Sequence, residues 1–294
     1  MWEQRWFGKN QELCGIIEHG SDDCDTLVIS LPGLGQAMSE KNYLFSNLRK
    51  HLAEKGQKYI QFDYKGFGDS TGEMGESSLQ TMFEDGLSVL KDACAMFKPR
   101  NIYLIGNALG TVIASRLSNV IKKFYQVDCK VIGISPLITP LPKSTSLFSE
   151  SILKRLRGKG SIDSQELVSG FDYYTLSDFN LDQHKYVTRL GSHMLYLHGQ
   201  RISNKLIDEL DQLNPIEELQ SADDLTLIIG EKDSELNYAQ DISQVFMLNN
   251  VEYFYQHPSA MDQVFQIVES IIFPKNKCKY CKKCNHNKSM GIKS

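Results

Sequence analysis

Hydrophobic and polar positions along the chain follow two alternating periods. Short, nearly unbroken apolar runs closed by glycine, proline or a polar turn lie at Thr26–Leu31, Lys58–Phe62, Asn101–Gly106, Lys130–Ser135 and Leu225–Gly230. Runs of that length and closure predict buried parallel strands. Between them the apolar positions switch to helical spacing. Tyr43, Leu44, Leu48 and Leu52 form one stripe within residues 40–55, which stops at Gly56. Leu79, Met82, Phe83, Leu87, Leu90, Ala93, Cys94 and Phe97 form a second within Glu76–Phe97, stopped by Pro99, and Leu109–Phe124 is a third helical segment. Strand, helix and strand in this rhythm predict a parallel sheet with right-handed crossovers. Residues 12–18 add an early strand antiparallel to the rest. Val251–Gln256 reads as a last strand, followed by a closing helix through Phe273.

The strand ends carry the chemistry. The run at 101–106 breaks into Gly106-Asn107-Ala108-Leu109-Gly110, a Gly-x-Ala-x-Gly turn. In Gly-x-Ser-x-Gly, the glycines permit a sharp strand-to-helix turn that exposes a serine nucleophile in strained geometry. Here a methyl group stands in the middle. The first long strand ends in Pro32-Gly33-Leu34-Gly35, and the next runs into Asp63-Tyr64-Lys65-Gly66-Phe67-Gly68-Asp69-Ser70, whose Asp63 and Ser70 can hydrogen-bond the backbone of a tight loop. Leu225–Gly230 is followed by Glu231-Lys232-Asp233, with His257 twenty-four residues further on.

In this order and spacing, across residues 12–272, the landmarks resemble the α/β-hydrolase superfamily, in its serine esterase, thioesterase and serine aminopeptidase-like branch. Lys65 stands where that family's Asp-x-Arg-Gly-x-Gly-x-Ser turn usually has arginine. The resemblance implies a mostly parallel sheet of about eight strands with helices on both faces and a helical cap. It also implies that Ala108 occupies the nucleophile position, that the N–H groups of Leu34 and Leu109 form the oxyanion hole, and that Asp233 orients a catalytic His257. Residues 1–136 and 214–274 would then be the core, 137–213 the cap, and 275–294 a basic cysteine-rich tail. From Pro136 to Asp224 the pattern loosens, broken by Pro136, Pro140 and Pro142. Leu153–Gly160 is a basic helical fragment, and the aromatic residues Phe171, Tyr173, Tyr174, Phe179 and Tyr186 suit either cap packing or an apolar substrate pocket. Met194–Leu213 reads as one helix containing a structural His198.

Composition narrows the setting. A chain of 294 residues with 41% hydrophobic and 23% charged residues is long enough for one large α/β domain with an insertion. A net charge of −4 does not suggest nucleic acid as a partner, since phosphate binding needs a concentrated basic surface. No apolar run reaches membrane-spanning length, and the first residues lack the apolar core of a secretory signal, so a cytoplasmic protein is expected. Four of the seven cysteines are scattered singly. The others crowd into the tail, where Cys278, Cys281, Cys284 and His286 would supply four ligands to a zinc ion; a cysteine-rich tail without metal is the alternative. No other cofactor is expected.

Three functions are compatible with this pattern. The first is an acyl hydrolase or acyltransferase acting on a small ester or thioester, free or carrier-protein-bound, in a form inactivated by exchange of the elbow serine for Ala108. The second is a natural pseudohydrolase that binds a ligand or a protein. In the third, Asp233 and His257 act as a general-base dyad in a lyase or a cofactor-free oxygenase.

Overall fold

The computed structural model describes residues 1–168, 180–239, 242, 244–253 and 258–274. In chain order the described strands are β1 (Trp2–Phe7), β2 (Leu13–Glu18), β3 (Thr26–Leu31), β4 (Lys58–Phe62), β5 (Asn101–Asn107), β6 (Asp128–Ile134), β7 (Ser161–Asp163), β8 (Arg201–Ser203), β9 (Leu225–Gly230) and β10 (Gln244–Leu248). The helices are α1 (Leu44–Ala53), α2 (Leu79–Phe97), α3 (Gly110–Phe124), α4 (Ser144–Leu147), α5 (Glu150–Lys159), α6 (Ser164–Leu167), α7 (Leu181–Leu190), α8 (His193–Leu197), α9 (Asn204–Gln212), α10 (Pro215–Gln220), α11 (Leu236–Ala239) and α12 (Pro258–Ile272).

Eight strands form one sheet in the order β1-β2-β4-β3-β5-β6-β9-β10. The β1–β2 and β2–β4 pairs are antiparallel and the remaining pairs are parallel. The central strands are buried on both faces, which is why they read as apolar runs without alternation. One apolar cluster, including Leu104, Val112, Leu117 and Leu90, fills the side covered by α2 and α3. A second, including Leu48, Tyr59, Ile105, Ile228 and Val264, fills the side covered by α1 and α12. The sequence starts α2 explicitly: Ser78 and Thr81 form a reciprocal capping box, so two N–H groups at its entry are satisfied before the apolar stripe begins.

Three sequence readings change. Trp2–Phe7 is an additional strand that the periodicity does not reveal, because five of its six residues are exposed and it pairs only with β2 at the sheet edge. The last strand among the described residues is Gln244–Leu248, which pairs in parallel with Thr226–Gly230 and ends in a turn where Asn250 has φ 58°; of the expected strand Val251–Gln256, residues 251–253 are not in a strand. Residues 254–256 lie outside the described set. The segment from Met194 to Leu213 is not one helix, since Gly199 at φ 63° breaks it and Arg201–Ser203 pairs antiparallel with Ser161–Asp163. The Ser203 hydroxyl then accepts the Leu206 N–H and starts α9 afresh. The insertion between β6 and β9 therefore combines helices with a two-stranded ribbon.

Candidate functional site

Because the central strands are parallel, their C-terminal ends open on one edge, where ligand sites of such sheets form. Leu31 pairs with Gly106, and Asn107 with Ile134, so the segments after β3, β5 and β6 emerge side by side. At the end of β5 the chain turns directly into α3. Ala108 takes φ 47°, its N–H donates to the Ile134 carbonyl, and it is fully buried. The flanking glycines are demanded by space. A Cβ at Gly106 would lie 2.4 Å from the Thr111 nitrogen, and one at Gly110 would lie 2.1 Å from the Leu31 carbonyl oxygen. Leu109 is the residue that opens α3.

The loop after β3 faces this turn, and the cap fills the space between them. The Leu34 N–H donates to the Leu190 carbonyl at 3.2 Å, and the Gln36 side-chain amide donates to the Gly191 carbonyl at 2.7 Å. Gly191, at φ 70°, ends α7 directly above Ala108. A Cβ placed on it would lie 3.0 Å from the Ala108 methyl and 3.6 Å from the side-chain nitrogen of Asn107. Two consecutive peptide carbonyls of the protein's own cap thus occupy the groove beside the elbow.

Glu40 ties the same loop to the elbow from beneath. Its carboxylate accepts the Gly33 N–H at 2.7 Å and the Lys41 N–H at 2.9 Å, and it is also hydrogen-bonded by the Asn107 side chain. Burial raises its pKa from 4.5 to about 7, against the lowering effect of these hydrogen bonds and of Lys41. The backbone at Glu40, φ 59° and ψ 169°, lies in a region that side chains other than glycine rarely enter. The next strand end is fastened in the same way. Asp63 accepts the N–H groups of Met38 and Asp69, and the Ser70 hydroxyl donates to the Asp63 carbonyl while receiving the Cys14 N–H. Lys65, in the arginine position of the turn, reaches Glu12 and Asp85.

Asp233 sits on the turn after β9, separated from the elbow strand by β6. It accepts the Glu235 N–H at 3.0 Å. Burial raises its pKa to about 6; the Glu235 N–H lowers it, the Glu235 and Glu252 carboxylates raise it further, and Arg189 opposes them. It lines a cavity of about 140 Å³ shared with Ser135, His184, Arg189 and Glu252. Helix α7 therefore reaches both places, with His184 and Arg189 at the Asp233 cavity and Leu190 at the elbow. Arg189 lies 3.0 Å from Glu235, whose carboxylate also receives the N–H groups of Ile138 and Thr139. His193 at the start of α8 contacts the Thr188 hydroxyl at 3.1 Å, and burial first, then Lys41 and His184, lowers its pKa to about 3.

Leu34, Ala108 and Leu109 are thus brought to one place, and Asp233 lies two strands across the sheet. His257 lies outside the described residues, as do Phe171, Tyr173, Tyr174 and Phe179 of the cap and Cys278, Cys281, Cys284 and His286 of the tail. Among the described residues no group of three or more histidines, cysteines or carboxylates is arranged to hold a metal, and no helix is long and apolar enough to cross a membrane. Sequence reasoning did not single out Glu40, Gln36, Asn107 or the Leu190–Gly191 pair. For Glu40 the only local sign is its place in the loop after a Gly-containing strand end.

The sequence profile of the family described as serine aminopeptidase, S33, matches residues 23–234. A search of curated proteins returns no significant match. Among solved structures, the chain is similar to a putative hydrolase from Agrobacterium vitis S4, with a TM-score of 0.64 and 16% identity over 92% of this chain and 98% of that one. A thermostable carboxyl esterase from Bacillus coagulans gives a TM-score of 0.66 and 16% identity over 93% and 98%. Mouse alpha/beta hydrolase domain-containing protein 10 gives 0.61 and 17% over 93% and 100%. Likeness at these identities shows the α/β-hydrolase fold, and the match to the family profile, spanning most of the sequence, goes further. The chain belongs to the serine aminopeptidase S33 family.

Proposed function

We propose that this chain binds a ligand through a hydrolase scaffold without turning it over by acyl transfer, Ala108 standing at the nucleophile position. The observation that carries this reading is the Leu34 N–H to Leu190 carbonyl bond, with Gly191 seated on the Ala108 methyl. An acyl hydrolase needs that N–H directed at a developing oxyanion and needs an attacking oxygen in the same space. Here the donor is satisfied by the cap, and the elbow side chain has no oxygen. Removing the attacking group from such a unit costs several orders of magnitude in rate.

A second reading has its own support. The elbow keeps the left-handed backbone and crowded glycines of a working turn, which favours an ester or thioester hydrolase whose serine has been exchanged for alanine. One variant separates the two. Ala108→Ser is treated with a fluorophosphonate probe and assayed with short-chain esters and thioesters. The binding reading expects no labelling and no turnover, because Gly191 covers the new hydroxyl. Stoichiometric labelling, or ester hydrolysis abolished by His257→Ala, overturns it in favour of the hydrolase.

A further inference from the structure

Strand β1 stands at one end of the sheet order, so one side of its backbone has no neighbouring strand. Its first five residues, Trp2-Glu3-Gln4-Arg5-Trp6, are all exposed. Trp2 and Trp6, the chain's two tryptophans, are 62% and 40% exposed and share one face, because side chains alternate along a strand. The pairing with β2 runs without a bulge, and the strand holds no proline or glycine. Such an edge is a template for a further strand.

The ladder with β2 fixes which groups point outward. In an antiparallel pair, residues bonded to the neighbouring strand alternate with residues turned away from it. The Met1 carbonyl accepts the His19 N–H at 3.0 Å, one step before the Trp2–Glu18 pair, so Met1, Glu3 and Arg5 bond toward β2. Trp2, Gln4 and Trp6 therefore turn their N–H and carbonyl groups to the open side. Cys14, opposite Trp6, has the matching phase: its N–H donates to the Ser70 hydroxyl and its carbonyl accepts the Asp63 N–H, both away from β1. An added antiparallel strand must bond to these three residues, which leaves few registers for a second copy of β1. With Gln4 opposite Gln4 of the copy, Trp2 faces the copy's Trp6. Glu3 then faces the copy's Arg5 at a non-hydrogen-bonded pair, where side chains come closest. Sliding by two residues either way sets Glu3 against Glu3 or Arg5 against Arg5, and like charges directly opposite destabilise a ladder. Glu3 is already paired with Arg5 of its own strand at 3.5 Å and with His19 at 3.4 Å, all three partly exposed. The register does not need them free, since each carboxylate keeps its own-strand arginine beside it and gains the copy's arginine across the ladder.

We propose that β1 pairs antiparallel with β1 of a second copy of this chain, about a two-fold axis at Gln4, joining two eight-stranded sheets into one continuous sheet. Trp2 and Trp6 make cross-strand aromatic pairs with Trp6 and Trp2 of the copy, and Glu3 and Arg5 make crossed ion pairs. The symmetry closes the assembly, because both copies use the same edge and no third copy can add there. The inference stands apart from the question of turnover at the elbow, since β1 lies four places from β5 in the sheet order.

The test is sedimentation velocity of the full chain over a concentration series, with tryptophan fluorescence as a second readout. Pairing of one short strand lies at the small end of specific interfaces, so a dimer with a dissociation constant of about 1–100 μM is expected, its emission shifting to the blue as it forms. Gln4→Pro removes the outward N–H at the centre of the pairing in both copies and spares the bonds to β2, so it should weaken the dimer by about tenfold or more. Glu3→Arg and Arg5→Glu each set like charges opposite one another and should each weaken self-association by about tenfold. An equimolar mixture of these two variants brings opposite charges together at both positions and should dimerise as the native chain does. Thermal melts establish that all three variants fold. A native chain that stays monomeric to about 0.5 mM overturns the assignment and leaves the edge to a strand of a different protein. So does a dimer unaffected by Gln4→Pro, single charge variants that self-associate like the native chain, or a mixture of them that stays monomeric.

Discussion

Replacing Glu40 by glutamine isolates the cost of burying a carboxyl beneath the elbow loop. Its pKa stands at about 7 in the fold against 4.5 for the ordinary side chain, with burial as the largest cause. The sign follows from proton uptake. Below the unfolded pKa the group is protonated in both states and contributes nothing. As pH rises from about 4.5 to about 7, the unfolded chain releases its proton while the folded chain retains one, so stability falls through this window and levels off above it. A displacement of this size corresponds to about 3 kcal/mol of lost stability at alkaline pH. Glutamine does not titrate, so Glu40→Gln should remove this slope. Glutamine also presents an NH₂ toward an N–H donor and loses one acceptor, at a cost of about 1–3 kcal/mol that does not vary with pH. The informative quantity is therefore the difference in unfolding free energy between the two proteins, measured by urea denaturation at intervals across the window. Asp85 and Asp233, both raised to about 6, titrate in both proteins and cancel in that difference. The native protein's advantage over the variant should shrink by about 3 kcal/mol from acid to alkaline pH. A difference that stays flat, or that grows with pH, refutes the account of Glu40 as a buried and reluctantly ionised carboxyl.

Two further substitutions probe how the groove is closed. Gly191→Ala places a side chain at φ 70° and within 3.0 Å of the Ala108 methyl, so it should destabilise the fold by the left-handed cost of about 1–2 kcal/mol plus the contact; in an Ala108→Gly background the contact part should disappear, measurable as non-additivity in a double-mutant denaturation cycle. Asp63→Ala leaves the N–H groups of Met38 and Asp69 without their acceptor and should cost about 2–4 kcal/mol by thermal or chemical unfolding, whereas Asp69→Ala, which keeps both N–H groups bonded, should cost much less.

What the sequence reveals and what it hides divide along the range of the interactions. The parallel strands are legible because burial on both faces leaves them almost wholly apolar, as at Val28, Ile29 and Leu31, Leu104–Ile105 and Leu227–Ile229. The elbow is legible because a side chain at Gly106 or Gly110 would strike backbone, a local requirement that leaves a local signature. The occupied groove leaves none. Leu190 and Gly191 lie more than 150 residues from the loop whose donors they satisfy, and a leucine–glycine pair closing a helix looks the same whether or not its carbonyls meet Leu34 and Gln36. Glu40 is hidden for a related reason. Standing off the apolar stripe at the start of the 40–55 helical segment, it carries no sign of burial, and only the fold reveals that it is 4% exposed. The one-helix reading of Met194–Leu213 failed similarly, since the partner of Arg201–Ser203 is forty residues upstream.

The same division explains why α7 matters more than its sequence suggests. Its C-terminal carbonyls engage the elbow loop, while Arg189 one residue earlier engages Glu235 and the Thr139 carbonyl beside the Asp233 cavity. The helix cannot withdraw from Ala108 without also disturbing the Arg189 contacts, because a helix of ten residues moves as a body. Opening the groove is therefore coupled to the state of the Glu235 pair across the sheet. Arg189→Met, which breaks that pair without touching the elbow, should weaken the hold of the cap and raise amide hydrogen exchange at Leu34 as well as along α7. Faster exchange confined to α7, with Leu34 unchanged, would mean that the Leu34–Leu190 bond holds independently and that the two ends of the helix are not linked.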